Sequence, residues 1–328
     1  MKKTVLSIIA AVLALVIASG LCACAGGADT PKDTDKQTAS ETNAQTDNAQ
    51  TTDKTAETET GNNNQNETTA AEQGTEPAPV AGSEGLTIKV YDDMCEVWDI
   101  GTFTGEELII PSHVNGVPVT HIDEDSLTND TMKSLYIPWT VTSIGEDAVS
   151  ESKNLETVTF SEGLIGIGLG SFGGCAALKT VTLPKTLERV GQSGFTACTG
   201  LTEVTLNGNA DVNKAAFEGC TALQKVTFTD KSGRPYSLMS RAFEGDAALA
   251  EITLTEGLET IGSFCFSGCS SLGTVYLPAT LTKIDANAFA GVGSLKIFYA
   301  GSEEQWRNIT VANGNDALNS AEITYNYK

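Results

Sequence analysis

From Met132 onward the chain repeats one arrangement of apolar and polar positions, Leu-x-x-Val-x-Leu. First residues stand at Met132, Leu155, Leu178, Leu201, Leu223, Leu249, Leu272 and Leu295, spaced 23, 23, 23, 22, 26, 23 and 23 residues apart. Within one unit, Leu178, Val181 and Leu183 are apolar, and Thr180 and Thr182 between them are polar. Period-two alternation of this kind predicts a short half-buried strand over residues 180–183. Pro184 stops it, because proline cannot donate to a further ladder rung. Leu187 and Val190 return to the core, Gly191 is read as permitting a tight turn, and Phe195 fills the interior opposite the strand. The stretch "GQSGFTACTG" has room for no more than one or two helical turns. A fixed period of this size signals a solenoid, in which each unit buries its apolar side only by stacking on its neighbours.

The ends of the array read as caps. "LTIKVYDDMCEVWDIGTF" alternates apolar and polar residues and predicts two N-terminal strands, and "AEITYNYK" predicts a last one. The expected organisation is an export signal over residues 1–23, a stalk over 24–84 and an N-terminal cap with a first half-repeat over 85–131. Seven repeats over 132–294 and a C-terminal cap over 295–328 complete it.

Several features of the repeat resemble the BspA-like leucine-rich repeat family of bacterial surface proteins. They are Leu-Pro or Ile-Pro after the strand (Leu183-Pro184, Leu277-Pro278, Ile137-Pro138), Ile-Gly on the turn (Ile144-Gly145, Ile261-Gly262) and Ala-Phe before the cysteine position (Ala216-Phe217, Ala242-Phe243, Ala288-Phe289). "GEELIIPSHVNGVPVTHI" is similar to the family's opening half-repeat and "IFYAGSEEQWRNI" to its closing segment. The fold class this implies is an α/β leucine-rich repeat solenoid. Short parallel strands would line its concave face, with turns and short helical or 3-10 segments on the convex face. The resemblance also implies adhesion to host matrix proteins or to other cells.

Composition adds the setting. The chain begins Met-Lys-Lys and is almost wholly apolar over residues 5–21, which reads as an export signal. Leu21-Cys22-Ala23-Cys24 resembles the lipobox of bacterial lipoproteins. That resemblance implies cleavage before Cys24 and a diacylglycerol on its thiol, ordinary secretion being the alternative. Residues 25–85 are Thr, Ala, Asn, Gln, Glu and Asp with almost no large apolar side chain, and twelve acids oppose three lysines. Such a segment buries too little apolar surface to offset the entropy of ordering, and its flexible span is about 45 Å. The formal net charge of the chain is −22. This excludes a nucleic-acid partner, whose phosphates call for Lys and Arg, and argues against docking on anionic lipid. Contact with the membrane would come through the lipid anchor.

The polar strand positions supply the candidate binding face. They are Ser134 and Tyr136, Thr157 and Thr159, Thr180 and Thr182, Glu203 and Thr205, Lys225 and Thr227, Glu251 and Thr253, and Thr274 and Tyr276. Stacked across units they would form one row, either a contact surface for proteins or glycans or a solvated face that favours Thr for its strand propensity. The unit starting at Leu223 carries an insertion, "DKSGRPYS", read as a projecting loop with Lys231, Arg234 and Tyr236. Trp139 follows Pro138 and is either an exposed anchor for a partner or a cover for the edge of the core.

Cysteine recurs three residues after phenylalanine at Cys175, Cys198, Cys220 and Cys269, and Cys265 takes the place of an alanine. The same phase holds Ser152, Asp246 and Val292. A position that accepts Ser, Cys, Asp and Val behaves as a small filler or a hydrogen bonder to the turn, although a disulfide ladder also remains open. His113 and His121 have no paired cysteines nearby, so no conventional zinc spacing exists. No phosphate-binding glycine loop or nucleophile elbow occurs, and a regular solenoid offers a surface where an enzyme needs a pocket of converging groups. The expectation is a non-catalytic, cofactor-free protein at the extracellular face of a bacterial membrane, binding host matrix or cell-surface proteins. A glycan- or nutrient-capturing lipoprotein is the alternative.

Overall fold

The computed structural model describes residues 77–206, 210–230 and 232–328. The segment expected as signal, Cys24, most of the stalk and Lys231 lie outside the described residues. The two predicted N-terminal strands are β1 (Thr87–Val90) and β2 (Cys95–Asp99), paired antiparallel. A long strand then recurs in every turn: β3 (Glu107–Ile109), β6 (Ser134–Ile137), β8 (Thr157–Phe160), β10 (Thr180–Leu183), β12 (Glu203–Leu206) and β14 (Lys225–Phe228). The series continues as β16 (Glu251–Thr253), β18 (Thr274–Leu277), β20 (Lys296–Tyr299) and β22 (Glu322–Tyr325), the last being the terminal strand expected from "AEITYNYK". Their pairing is parallel and in register, so the leucine positions superpose from turn to turn.

Each turn also holds a second strand, in all but one turn the shorter of the two, that the hydrophobic pattern did not announce. These are β7 (Ser143–Ile144), β9 (Gly166–Ile167), β11 (Arg189–Val190), β13 (Asp211–Val212), β15 (Tyr236–Leu238), β17 (Leu258–Ile261), β19 (Lys283–Ile284) and β21 (Thr310–Val311). With β1, β2 and the hairpin of β4 (His113–Val114) and β5 (Val117–Ile122) they form a twelve-stranded sheet. The rest of each turn is a string of tight turns, and the short helical segments expected there are absent among the described residues. The reason lies in the backbone. Every repeat places two residues four apart at positive φ, as in Asp147 and Glu151, Ser193 and Ala197, or Phe264 and Gly268. A left-handed residue cannot continue a right-handed helix. Helices occur instead in the C-terminal cap, as α1 (Glu303–Arg307), closed by a Ser302–Gln305 capping box, and α2 (Asp316–Asn319). Neither is long and apolar enough to cross a membrane.

The core is a set of columns. Phe172, Phe195, Phe217, Phe243, Phe266 and Phe289 stack with ring centroids 5.0, 5.3, 5.4, 5.7 and 5.3 Å apart, all six fully buried. Beside them run the cysteines, unbridged and buried. The thiols of Cys198, Cys220 and Cys269 donate to the carbonyls of Phe172, Phe195 and Phe243 in the preceding turn, at 3.1–3.2 Å. Cys175 makes the equivalent bond to Val149 at 3.4 Å. Gly191 has ordinary φ, so the turn does not require it. A side chain there would overlap the backbone of Gly168 in the turn below, and close stacking is what excludes one.

Two further expectations change. Residues 80–83, placed in the stalk on composition, bind the edge of the domain. Ser112 N–H donates to Val80 O at 3.1 Å and Ser83 N–H to Ile109 O at 2.8 Å, which pairs an otherwise open strand edge. The long-strand sheet is also not continuous. It divides into a six-stranded part ending at β14 and a four-stranded part beginning at β16, with no ladder between them. The break falls in the unit of 26 residues, whose three extra residues lie between these two strands.

Candidate binding face

Alternation along the long strands buries Val181, Leu183, Val204 and Leu206 and leaves the intervening residues outward. Parallel registration then aligns the outward residues in two columns. Tyr136 pairs with Thr159 and Thr182 with Thr205, which in turn pairs with Thr227. In the second column Ser134 pairs with Thr157, Thr157 with Thr180, Thr180 with Glu203, and Glu203 with Lys225. Thr157, Thr159, Thr180, Thr182 and Lys225 are exposed, and Tyr136, Glu203, Thr205 and Thr227 are half-buried. Lys225 and Glu203 form an ion pair at 2.5 Å across the strands. Beyond the break, Glu251 pairs with Thr274 and Thr253 with Tyr276. The residues predicted to share a face do share one, in two sections.

The other candidates stand elsewhere. Tyr236 is not on a projecting loop. It points inward from β15 with 5% exposure, its ring tilted against Phe228, and its hydroxyl accepts from Thr255 N–H and donates to Thr255 O. The alternation Tyr236 in, Ser237 out, Leu238 in makes it a core residue. Arg234 is exposed on the insertion. Trp139 is half-buried rather than an exposed anchor, because the hairpin of β4 and β5 carries His113 over it with ring centroids 5.8 Å apart.

Sequence reasoning missed three arrangements. One is aromatic: the column continues past Tyr276 to Phe298 on β20, and Tyr327 from the chain's tail closes on both rings. The same alignment that located Tyr276 places Phe298 one unit on. The second is a clasp between turns. The Glu162 carboxylate accepts the amides of Lys185 and Thr186, and Gly163 N–H donates to the Thr186 hydroxyl. Glu256, Gly257, Ala279 and Thr280 repeat it, so "SEGL" and "TEGL" each hold the proline turn of the following unit. The third is Asp246, fully buried where other turns carry cysteine, with neither oxygen in hydrogen-bond geometry with a partner among the described residues. Burial pushes its carboxyl up to about 9, an effect that the nearby Cys220 amide offsets in part. Burial likewise raises the thiols of Cys175, Cys220, Cys265 and Cys269, which makes them poor nucleophiles. Among the described residues no group of three or more His, Cys, Asp or Glu side chains is placed to hold a metal ion.

The geometry has solved relatives. A leucine-rich repeat protein from Bacteroides ovatus shares 21% identity over 75% of this chain and 70% of its own, with a TM-score of 0.55. The T. pallidum leucine-rich repeat protein TpLRR shares 19% identity over 75% of this chain and 97% of its own, with a TM-score of 0.49. A leucine rich cell surface protein from Faecalibacterium prausnitzii shares 17% identity over 72% and 98%, with a TM-score of 0.30. A search of curated proteins gave no match. Leucine-rich repeat proteins are generally a binding or repeat-scaffold class, and none of the three proteins above is described as an enzyme. The BspA type leucine rich repeat region matches residues 120–238 and 236–324 in six copies, in agreement with the repeated period, and the chain belongs to that family.

Proposed function

We propose that the protein is a lipid-anchored, non-catalytic binding protein at the outer face of a bacterial membrane, and that it meets host matrix or cell-surface proteins through the outward face of its long strands. The observation that carries this reading is the registered pair of columns, Thr157, Thr180, Glu203 and Lys225 beside Thr159, Thr182, Thr205 and Thr227. The six threonines among them, on a repeated backbone, offer hydroxyls at the strand spacing of about 4.8 Å, and Glu203 with Lys225 adds an ion pair, a regular surface for many weak contacts. Lipidation at Cys24 and the acidic stalk would hold the solenoid away from the bilayer. A net charge of −22 favours neutral or basic partner surfaces over acidic ones.

The test is surface plasmon resonance of the full chain over immobilised matrix proteins. Thr159→Arg with Thr182→Arg, both at exposed positions, is expected to abolish binding with the melting temperature unchanged. Retained binding would remove this face from consideration, and Arg234→Ala then tests the insertion. Metabolic labelling with radioactive palmitate, lost in Cys24→Ser, checks the anchor.

A further inference from the structure

We infer that the C-terminal end of the long-strand face holds a subsite for a neutral saccharide, built on Tyr276 and Tyr327. The inference rests on the reading that this face binds, and it names the ligand chemistry at one end. In the six-stranded section the outward columns are dominated by threonine, whereas past the break one column runs Thr253, Tyr276, Phe298 and Thr324 in register. The rings of Tyr276 and Phe298 stack at 4.8 Å, inclined by 14°. Tyr327 folds back over them at 5.1 and 5.2 Å and is fixed by its amide, which donates to Tyr299 O at 3.2 Å. Rings this close leave no space for a cation between them, so the triad is a platform and not a cage.

Beside the platform lies a pocket of about 290 Å³ lined by Tyr276, Tyr327, Pro278, Thr253, Thr255 and Glu256, among others. Its polar rim is preorganised. The Ala279 and Thr280 amides each donate to a different Glu256 oxygen, at 2.9 and 3.2 Å, which fixes the carboxylate and leaves each oxygen a further lone pair. Thr253 is exposed beside it, and Lys328 adds a cationic donor at the rim. A pyranose ring presents an apolar C–H face and a fringe of hydroxyl donors, which match an aromatic wall and a carboxylate acceptor. An extended proline-rich peptide offers carbonyl acceptors instead, which a carboxylate cannot satisfy. An anionic saccharide would meet both Glu256 and a chain of net charge −22. The volume accommodates about one sugar ring, so affinity would come from repetition along a glycan or across many surface copies.

The experiment is saturation-transfer NMR and isothermal titration of the full chain with chitotriose, maltotriose and cellotriose, and with a proline-rich decapeptide. At least one saccharide is expected to bind with its C–H face saturated. Tyr327→Ala should weaken it at least tenfold, Tyr327→Phe should keep the ring and the binding, and Tyr91→Ala, at an exposed position between β1 and β2 and off this face, should change nothing. Because Tyr327 lies in the tail at 43% exposure, its loss leaves the buried core intact, which the melting temperature checks. Binding of the peptide but of no saccharide, or saccharide binding indifferent to Tyr327, would overturn the inference. Continued binding to matrix proteins in either case would leave the reading of the threonine face standing, and loss of both would remove the two together.

Discussion

Asp246 stands where Cys175, Cys198, Cys220 and Cys269 stand in other turns, and its chemistry follows from that position. Each of those thiols donates to a backbone carbonyl of the turn before it. Asp246 makes no such bond among the described residues, and burial, which penalises the charged carboxylate, holds it in its neutral form up to about pH 9. In an unfolded chain an aspartate loses its proton near pH 4. Below that value both states are protonated. As the pH rises from about 4 toward 9 only the unfolded state has released the proton, so this residue's contribution to stability falls across that window. Asp246→Asn removes the titration. The melting temperature of the variant relative to the parent should be least favourable near pH 4 and rise steadily to pH 9, and a pH-independent difference would contradict the account. The cysteines give a second prediction. Ellman's reagent at pH 8 should find the thiols of Cys95, Cys175, Cys198, Cys220, Cys265 and Cys269 silent in the native protein and reactive after denaturation, with mass spectrometry of labelled peptides assigning each. A missing free thiol would indicate a bridge.

At the scale of the element, the turn is defined by its left-handed residues. The position before the cysteine has positive φ in every repeat, at Glu151, Gly174, Ala197, Gly219, Gly245, Gly268 and Gly291. Glycine adopts this conformation without steric cost, and a residue with a Cβ is disfavoured there by about 1 kcal/mol. Ala197→Gly is therefore expected to stabilise the protein by about 1 kcal/mol, read from chemical denaturation, and Gly219→Ala to destabilise it by a similar amount. Gly163 is held more tightly. It has φ of 120° and an added Cβ would overlap the Trp139 carbonyl oxygen, so Gly163→Ala should cost at least about 2 kcal/mol. Glycine at a turn was visible in the sequence. The close approach of the neighbouring turn was not, because it depends on residues about 23 positions away.

For the whole molecule, the break between β14 and β16 sets the expected mechanics. The phenylalanine stack and the short-strand sheet cross it, through Phe217 to Phe243 and β13 to β15, but the long-strand ladder does not. In a solenoid, stability is carried from turn to turn by such nearest-neighbour contacts. Hydrogen exchange followed by mass spectrometry should show the amides of Glu251–Thr253 exchanging faster than those of Glu203–Leu206, which are paired on both sides. Equal protection would mean that the core columns alone hold the two sections together. The same break divides the proposed binding surface into a threonine-rich section and an aromatic one, so partners of different chemistry can occupy the two.

The sequence by itself determined the period, the place of the long strands, the inward and outward alternation along them, and the family. The first three follow from local hydrophobic spacing repeated often enough to exclude chance, and the family from the resemblance carried by its Leu-Pro, Ile-Gly and Ala-Phe positions. Only the tertiary structure decided what depends on one turn resting on another. The short strands take their form from hydrogen bonds between turns, and their two to four residues carry too little alternation to announce them. Tyr236 looked like a loop residue because proline and glycine precede it, until the stacked turn drew it inward against Phe228 and Thr255. The aromatic platform needed three residues from β18, β20 and the tail, which only the winding of the chain brings together.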